Sequence, residues 1–149
     1  MSDSITLRTV QDPAHCHACF AVMRELRPHL PDADAFVAQV QRQAEQGYRL
    51  LAAWRGEQVV GLAGYRLQEN TLYGRFVYID DLIVLPSEQR SGVGGLLIEA
   101  VRRAAIDGGR AHLVLDTALG NALGQRFYYR QGLLARGLHF VEALPQVAA

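Results

Sequence analysis

The chain has 149 residues, half of them hydrophobic, and its fifteen basic and fifteen acidic residues cancel. That length predicts one domain, residues 1–149, with a sizeable core. A balanced charge gives no field that draws the chain to nucleic acid or an anionic membrane, and no apolar run reaches transmembrane length.

The N-terminal MSDSITLRTV does not read as a signal peptide, so a soluble cytoplasmic protein is expected. Ile5 to Thr9 alternates as a first strand. Asp12-Pro13 is a helix start, a capping acid followed by proline in the first turn, and the helix is predicted to run to about Leu26. Along it lie Cys16 and Cys19, the two cysteines of the chain, in His15-Cys16-His17-Ala18-Cys19. A zinc site is one reading, but a single helical stretch of this length cannot wrap all four donors around a metal. A redox pair is a second. Packing is favoured: Cys19, Met23, Leu26 and Leu30 form one helix face, and no metal is expected.

Arg27-Pro28-His29-Leu30-Pro31 breaks the helix. Asp32 or Asp34 caps the next one, with Phe36, Val37, Val40 and Ala44 inward and Gly47 at its end. Tyr48 to Trp54, Val59 to Leu67 and Arg75 to Leu85 follow as three antiparallel strands joined by short turns. Gly61 and Gly64 inside the second hint at a bend or a close backbone approach. After Pro86 and a polar loop, glycines open a helix near Gly92, with Val93, Leu97, Ala100, Val101 and Ala104 on its apolar face. Gly108 and Gly109 end it, and His112 to Asp116 completes a parallel crossover. Asn121 to Arg130 reads as a last helix, Leu133 to Val141 as a final strand, and ALPQVAA as a loose tail.

A strand, a glycine loop and a helix in that order make an anion site. The first turn of a helix has unpaired N–H groups and the positive end of its dipole, and glycines let a phosphate approach. Two motifs compete for the loop. The dinucleotide fingerprint G-x-G-x-x-G fits Gly92 and Gly94, but Leu97 stands at its third place and six residues separate Leu85 from Gly92. Asp116, near the position of a ribose-binding acid, is in its favour. The other motif, Q/R-x-x-G-x-G/A, is satisfied by Gln89, Gly92 and Gly94.

With the preceding DDLIV strand and the following helix, this segment resembles the pyrophosphate loop of the GNAT superfamily of acyl-CoA-dependent N-acyltransferases. The order β-α-α-β-β-β-α-β-α-β matches that fold over nearly the whole chain. The resemblance implies an α/β (α+β) architecture with a mixed central sheet of six to seven strands and about four helices. It implies acetyl-CoA as co-substrate. Backbone groups of Leu82, Ile83 and Val84 would pair with the pantetheine arm like an added strand. Gln89 would open the motif, and N–H groups of Arg90, Ser91, Gly92, Val93, Gly94 and Gly95 would hold the pyrophosphate. Dimers are frequent in the family, so a homodimer is possible.

The last helix reads N-A-L-G-Q-R-F-Y-Y-R-Q-G-L. Asn121, Phe127, Tyr128, Gly132 and Leu133 fall on the family's second motif, and Gly124 stands where alanine is usual. By resemblance Tyr128 would protonate the departing thiolate; the alternative is a packing aromatic. Asn121 is a cofactor contact, the helix N-cap, or both. Acyl transfer also needs a neutral amine. Asp80 stands where members often carry a glutamate base, and its shorter side chain suggests a bridging water. Asp80 and Asp81 are neighbours on one strand and are expected to point to opposite faces, with Asp81 in a structural hydrogen bond. Asp116 is a second candidate base. Tyr65, Tyr73, Arg75, Tyr78, His29 and His139 are candidates for lining the acceptor pocket, which would suit a small-molecule amine. A non-catalytic acyl-CoA-binding sensor is the alternative function, and a small dinucleotide-binding protein is a third.

Overall fold

A computed structural model describes residues 4–147. Residues 1–3, which begin the N-terminal stretch read above, and residues 148–149, which end the tail, lie outside them. The chain divides into two compact units, Met1–Leu115 and Asp116–Ala149.

The first unit holds β1 (Ile5–Thr9), α1 (Pro13–Ala18), α2 (Phe20–Leu26), α3 (Ala33–Ala44), β2 (Tyr48–Arg55), β3 (Gln58–Asn70), β4 (Gly74–Val84), a 3₁₀ turn (Pro86–Glu88), α4 (Val93–Asp107) and β5 (His112–Leu115). Asp12 and Asp32 cap α1 and α3, each accepting at 2.8 Å from an N–H three residues on. The expected first helix is two. At Cys19 the backbone N–H bonds tightly to the Cys16 carbonyl at 3.0 Å, and the helix restarts at Phe20.

The strands lie in the order β1-β2-β3-β4-β5. The first four are antiparallel neighbours, and β5 runs parallel to β4. On one sheet face, Cys16, Cys19, Val22, Met23 and Phe36 pack with Leu50, Ala52, Trp54 and Leu62 in one core. Both cysteines are buried and free, as the packing reading has it. Their thiols are pushed up to about 11 and about 12 by burial first, then by a neighbouring charge. The other face meets α4, whose buried residues are Val93, Leu97, Ile98, Val101 and Ala105. Ala104, expected inward, is exposed, because the buried stripe is centred one residue further round. The close approach expected at Gly61 is α4: a Cβ there would lie 3.0 Å from Val93 Cγ1 and 3.2 Å from Leu97 Cδ1.

The second unit contains α5 (Ala122–Arg130) and a stretch from 133 to 147 with neither helix nor strand. The sheet therefore has five strands, not six or seven, and the expected strand from Leu133 to Val141 is absent among the described residues. Alternation supplies a side-chain pattern, but a strand needs a ladder, and this segment has none. Leu134, Leu138, Phe140 and Val141 are left exposed. The described helices number five besides the 3₁₀ turn, one more than expected. None is long and apolar enough to cross a membrane.

Candidate functional site

The glycine loop is held before the helix begins. Arg55, at the end of β2, grips Glu88 with two parallel hydrogen bonds of 2.8 Å, and the arginine lowers the Glu88 carboxyl below its ordinary value. Ser91 Oγ donates to the Glu88 carbonyl. Two left-handed residues, Arg90 (φ 77°) and Gly92 (φ 88°), then turn the chain into α4. Ordinary L-residues avoid this region. Gly92 is the N-cap and has open space where a Cβ would stand. The N–H groups of Arg90, Gly92, Val93, Gly94 and Gly95 donate no hydrogen bond to another described residue. Alternating backbone hands with N–H groups at a helix start form a concave anion nest. A pyrophosphate fits what this nest offers, and Gln89 and Ser91 stand exposed in the same loop.

β4 offers a second backbone feature. Its pairing with β5 covers only Phe76 to Ile79. From Asp80 to Val84 that edge has no strand beside it among the described residues. The opposite edge is fully engaged, with Leu82, Ile83 and Val84 opposite Ala63, Leu62 and Gly61.

Where β4 leaves β5, its register with β3 slips. Gly64 pairs with Asp81 and Tyr65 with Ile79, which leaves Asp80 as an extra residue, a β-bulge. The bulge overturns the expectation that Asp80 and Asp81 point to opposite faces: both carboxylates join one cluster. Arg66 donates to Asp80 Oδ2 at 2.9 Å, and Tyr48 donates to Asp81 Oδ2 at 2.7 Å. The Arg66 guanidinium lies 5.6 Å from the centre of the Tyr48 ring, which ties the two pairs together. Arg27 closes the cluster, with Nε 3.1 Å from Asp81 Oδ1 and Nη2 2.8 Å from the Asp80 carbonyl. Burial pushes the Asp80 carboxyl up; Arg66 pulls it back and Asp81 adds to the rise, and the net direction is upward. Burial, then the Asp81 charge, holds the Tyr48 phenol well above its usual value. Gly64 is the seat of that phenol: a Cβ there would stand 1.9 Å from Tyr48 Oη.

In the second unit Asn121 caps α5. Its Oδ1 accepts from the Gly124 N–H at 3.0 Å and its Nδ2 donates to Thr117 Oγ1 at 3.1 Å. The amide folds over Gly124 so closely that a Cβ there would lie 2.4 Å from Nδ2. Glycine in place of the usual alanine thus leaves room for the cap. Gln125 holds the preceding loop through the carbonyls of Ala118 and Leu119. Tyr128 is half-buried, and burial raises its phenol above the ordinary value, so it keeps its proton. Asp116 faces His139 at 3.1 Å.

Of the residues expected to line an acceptor pocket, His29 borders a cavity of about 240 Å³ between α2, α3 and the sheet. Tyr73 instead packs with its ring tilted against Phe76 and His112, and His139 pairs with Asp116. Sequence reading missed Tyr48, Arg27 and Arg66. Only Gly64 carried a signal: expected to mark a bend or a close backbone approach, it is approached instead by a side chain, the Tyr48 phenol. No group of three or more metal-ligating side chains occurs among the described residues.

A family described as "Acetyltransferase (GNAT) family" matches residues 15–133. Over 66 residues the chain is 32% identical to an uncharacterized N-acetyltransferase, YjcF, of Bacillus subtilis (strain 168). That match spans 44% of this chain and 44% of the relative's own length. Among solved structures, the aminoglycoside N-acetyltransferase AAC(6')-Iy in complex with CoA superposes with a TM-score of 0.83 at 20% identity, covering 97% of each chain. A ribosomal-protein-alanine N-acetyltransferase from Brucella melitensis biovar Abortus 2308 gives 0.81 at 16% identity, covering 95% of this chain and 100% of that one.

Proposed function

The chain belongs to the acetyltransferase (GNAT) family, and from that premise we propose that it is an acetyl-CoA-dependent N-acetyltransferase acting on a primary amine of a small molecule. The amine attacks directly in a ternary complex, and the whole chain works as one such domain. The observation that carries this reading is the loop before α4, with five N–H groups free of partners in the described chain. Bound acetyl-CoA supplies the acetyl group as an activated thioester.

The chain's own residues then have separable tasks. Arg90, Gly92, Val93, Gly94 and Gly95 hold the pyrophosphate through backbone N–H groups, with Gln89 opening the loop and Arg55 and Glu88 fixing its approach; Ser91, expected among them, has its N–H turned inward to the Glu88 carbonyl at 3.2 Å. Leu82, Ile83 and Val84 offer the open β4 edge to the pantetheine arm, and Asn121 adds a contact from the N-terminus of α5. Asp80 is the base. Its Oδ2 is occupied by Arg66, while its Oδ1 has no hydrogen-bond partner among the described residues and can accept through a water. Tyr128 is the acid that protonates the departing sulfur, a role for which a phenol that keeps its proton is suited.

The test is thermal unfolding with acetyl-CoA, coenzyme A and NAD in parallel. A ligand at a hundredfold its dissociation constant adds about 2.7 kcal/mol. A melting shift with the two coenzyme A ligands and none with NAD is expected, followed by release of free thiol when amines are added. No shift with either coenzyme A ligand would overturn the assignment. Binding without turnover on any amine would leave only an acyl-CoA sensor.

A further inference from the structure

The cavity that His29 borders also has Met23, Leu30, Phe36 and Val40 in its wall, with Arg27, Gln39, Gln43, Tyr48 and Asp81. Its charge is not what a polycation needs. Asp81 is the one carboxylate in the lining, and both of its oxygens are engaged, Oδ1 by Arg27 and Oδ2 by Tyr48. Asp80, next along the strand, is matched by Arg66. Two guanidinium groups thus neutralise the two carboxylates, and no unmatched negative charge is left at the cavity. The Arg27 side chain is 42% exposed, and its Nη1 has no hydrogen bond among the described residues.

Size narrows the choice. A cavity of about 240 Å³ falls below the range of roughly 300–1,000 Å³ that encloses a drug-sized ligand. Its apolar wall is aliphatic and aromatic, and its polar end is Arg27, whose Nη2 already touches the Asp80 carbonyl at the bulge. A small occupant is therefore the kind that fits wholly within it, although the cavity opens to solvent on one side. An anion close to the occupant's amine would use the free guanidinium nitrogen beside the bulge, to which Arg27 is joined through the Asp80 carbonyl. An apolar body would suit the wall.

We propose that the acceptor is an α-amino acid with an apolar side chain. Its carboxylate pairs with Arg27 Nη1, its amino group lies at the Asp80–Asp81 bulge, and its side chain rests among Met23, Leu30, Phe36 and Val40. This deepens the transferase reading and rests on it. In the transfer the ammonium gives up two protons, one through the base to solvent and one to the departing sulfur. The C–N bond of an N-acetyl amino acid forms as the thioester C–S bond breaks.

The experiment compares L-leucine and L-phenylalanine with leucinamide and phenylalaninamide on the intact protein. Binding is read by calorimetry with coenzyme A present, and turnover by thiol release with acetyl-CoA. A charge-assisted hydrogen bond is worth at least about a tenfold difference, so the acids should bind at least tenfold tighter than the amides. Arg27→Gln should erase that preference while coenzyme A affinity stays within twofold. Amides that bind as well as the acids would overturn the proposal without any reliance on a variant. Acetylation of kanamycin or tyramine with no binding or turnover of either amino acid would overturn it too, and would leave the transferase reading intact. Amino acids that bind tightly while no amine is acetylated would overturn the acceptor role together with the transferase reading, and would leave only an amino-acid-binding site.

Discussion

Gly64→Ala is a sharp perturbation of the acidic cluster. The φ of Gly64 lies outside the left-handed region, so the backbone itself would accept alanine. The obstacle is steric: the added carbon would sit 1.9 Å from Tyr48 Oη, 2.5 Å from Cζ and 2.8 Å from Asp81 Oδ2. Tyr48 must swing away and give up its 2.7 Å bond to Asp81. A hydrogen bond to a charged group is worth about 1.5–3 kcal/mol. Overpacking adds about 1–3 kcal/mol. Against these, alanine restricts the unfolded chain and returns about 0.4–1 kcal/mol. The expected net loss is about 3 kcal/mol, a fall in melting temperature of roughly 6–12 °C for a chain of this size. Urea unfolding measures it, with Tyr48→Phe and the double variant completing a cycle. Phenylalanine lacks the oxygen that collides, so the two losses should fall short of additive by about 1 kcal/mol. A Gly64→Ala protein within about 0.5 kcal/mol of the parent, the range of an inert surface change, would refute the reasoning.

Tyr128→Phe should lower turnover about a hundredfold or more while the coenzyme A melting shift persists; an unchanged rate removes Tyr128 from the mechanism. Gly92→Ala meets no atom but must hold a left-handed backbone, so it should cost about 1–2 kcal/mol in urea unfolding and weaken coenzyme A binding measured by calorimetry. The Asp80 carboxyl is raised, so the folded state binds its proton more tightly than the unfolded state. Its contribution to stability therefore falls as pH rises from its ordinary value of 3.8 through the raised one, and the acidic limb of kcat/KM should lie above 3.8. Asp80→Asn should flatten both curves; unchanged curves would exclude it as the base. With thiols at about 11 and about 12, Cys16 and Cys19 should ignore a thiol reagent at pH 8 until the protein is denatured; rapid labelling of the native state would contradict their burial.

What the sequence discloses follows the distance over which each feature is built. The capping acids Asp12 and Asp32, the hairpins, and the turn into α4 depend on neighbours within a few residues, and all are readable. The acidic cluster is not. Arg27 reaches 54 residues to Asp81, Tyr48 reaches 33, and Arg66 reaches 14 to Asp80. Each alone reads as a surface cation or a packing ring. The bulge at Asp80 escapes for a related reason: strand parity predicts opposite faces until a single unpaired residue cancels it. The segment after Leu133 errs the other way, since its pattern promises a strand whose ladder must come from elsewhere.

The bare stretch of β4 from Asp80 to Val84 has a meaning for the life of the protein before any chemistry. A row of unpaired N–H and C=O groups is a template, and it does not distinguish a pantetheine arm from a strand of a half-folded chain. A guest lying along those residues shields that edge from misassembly. While nothing lies along it, this length of edge is open to pairing with a strand of another chain.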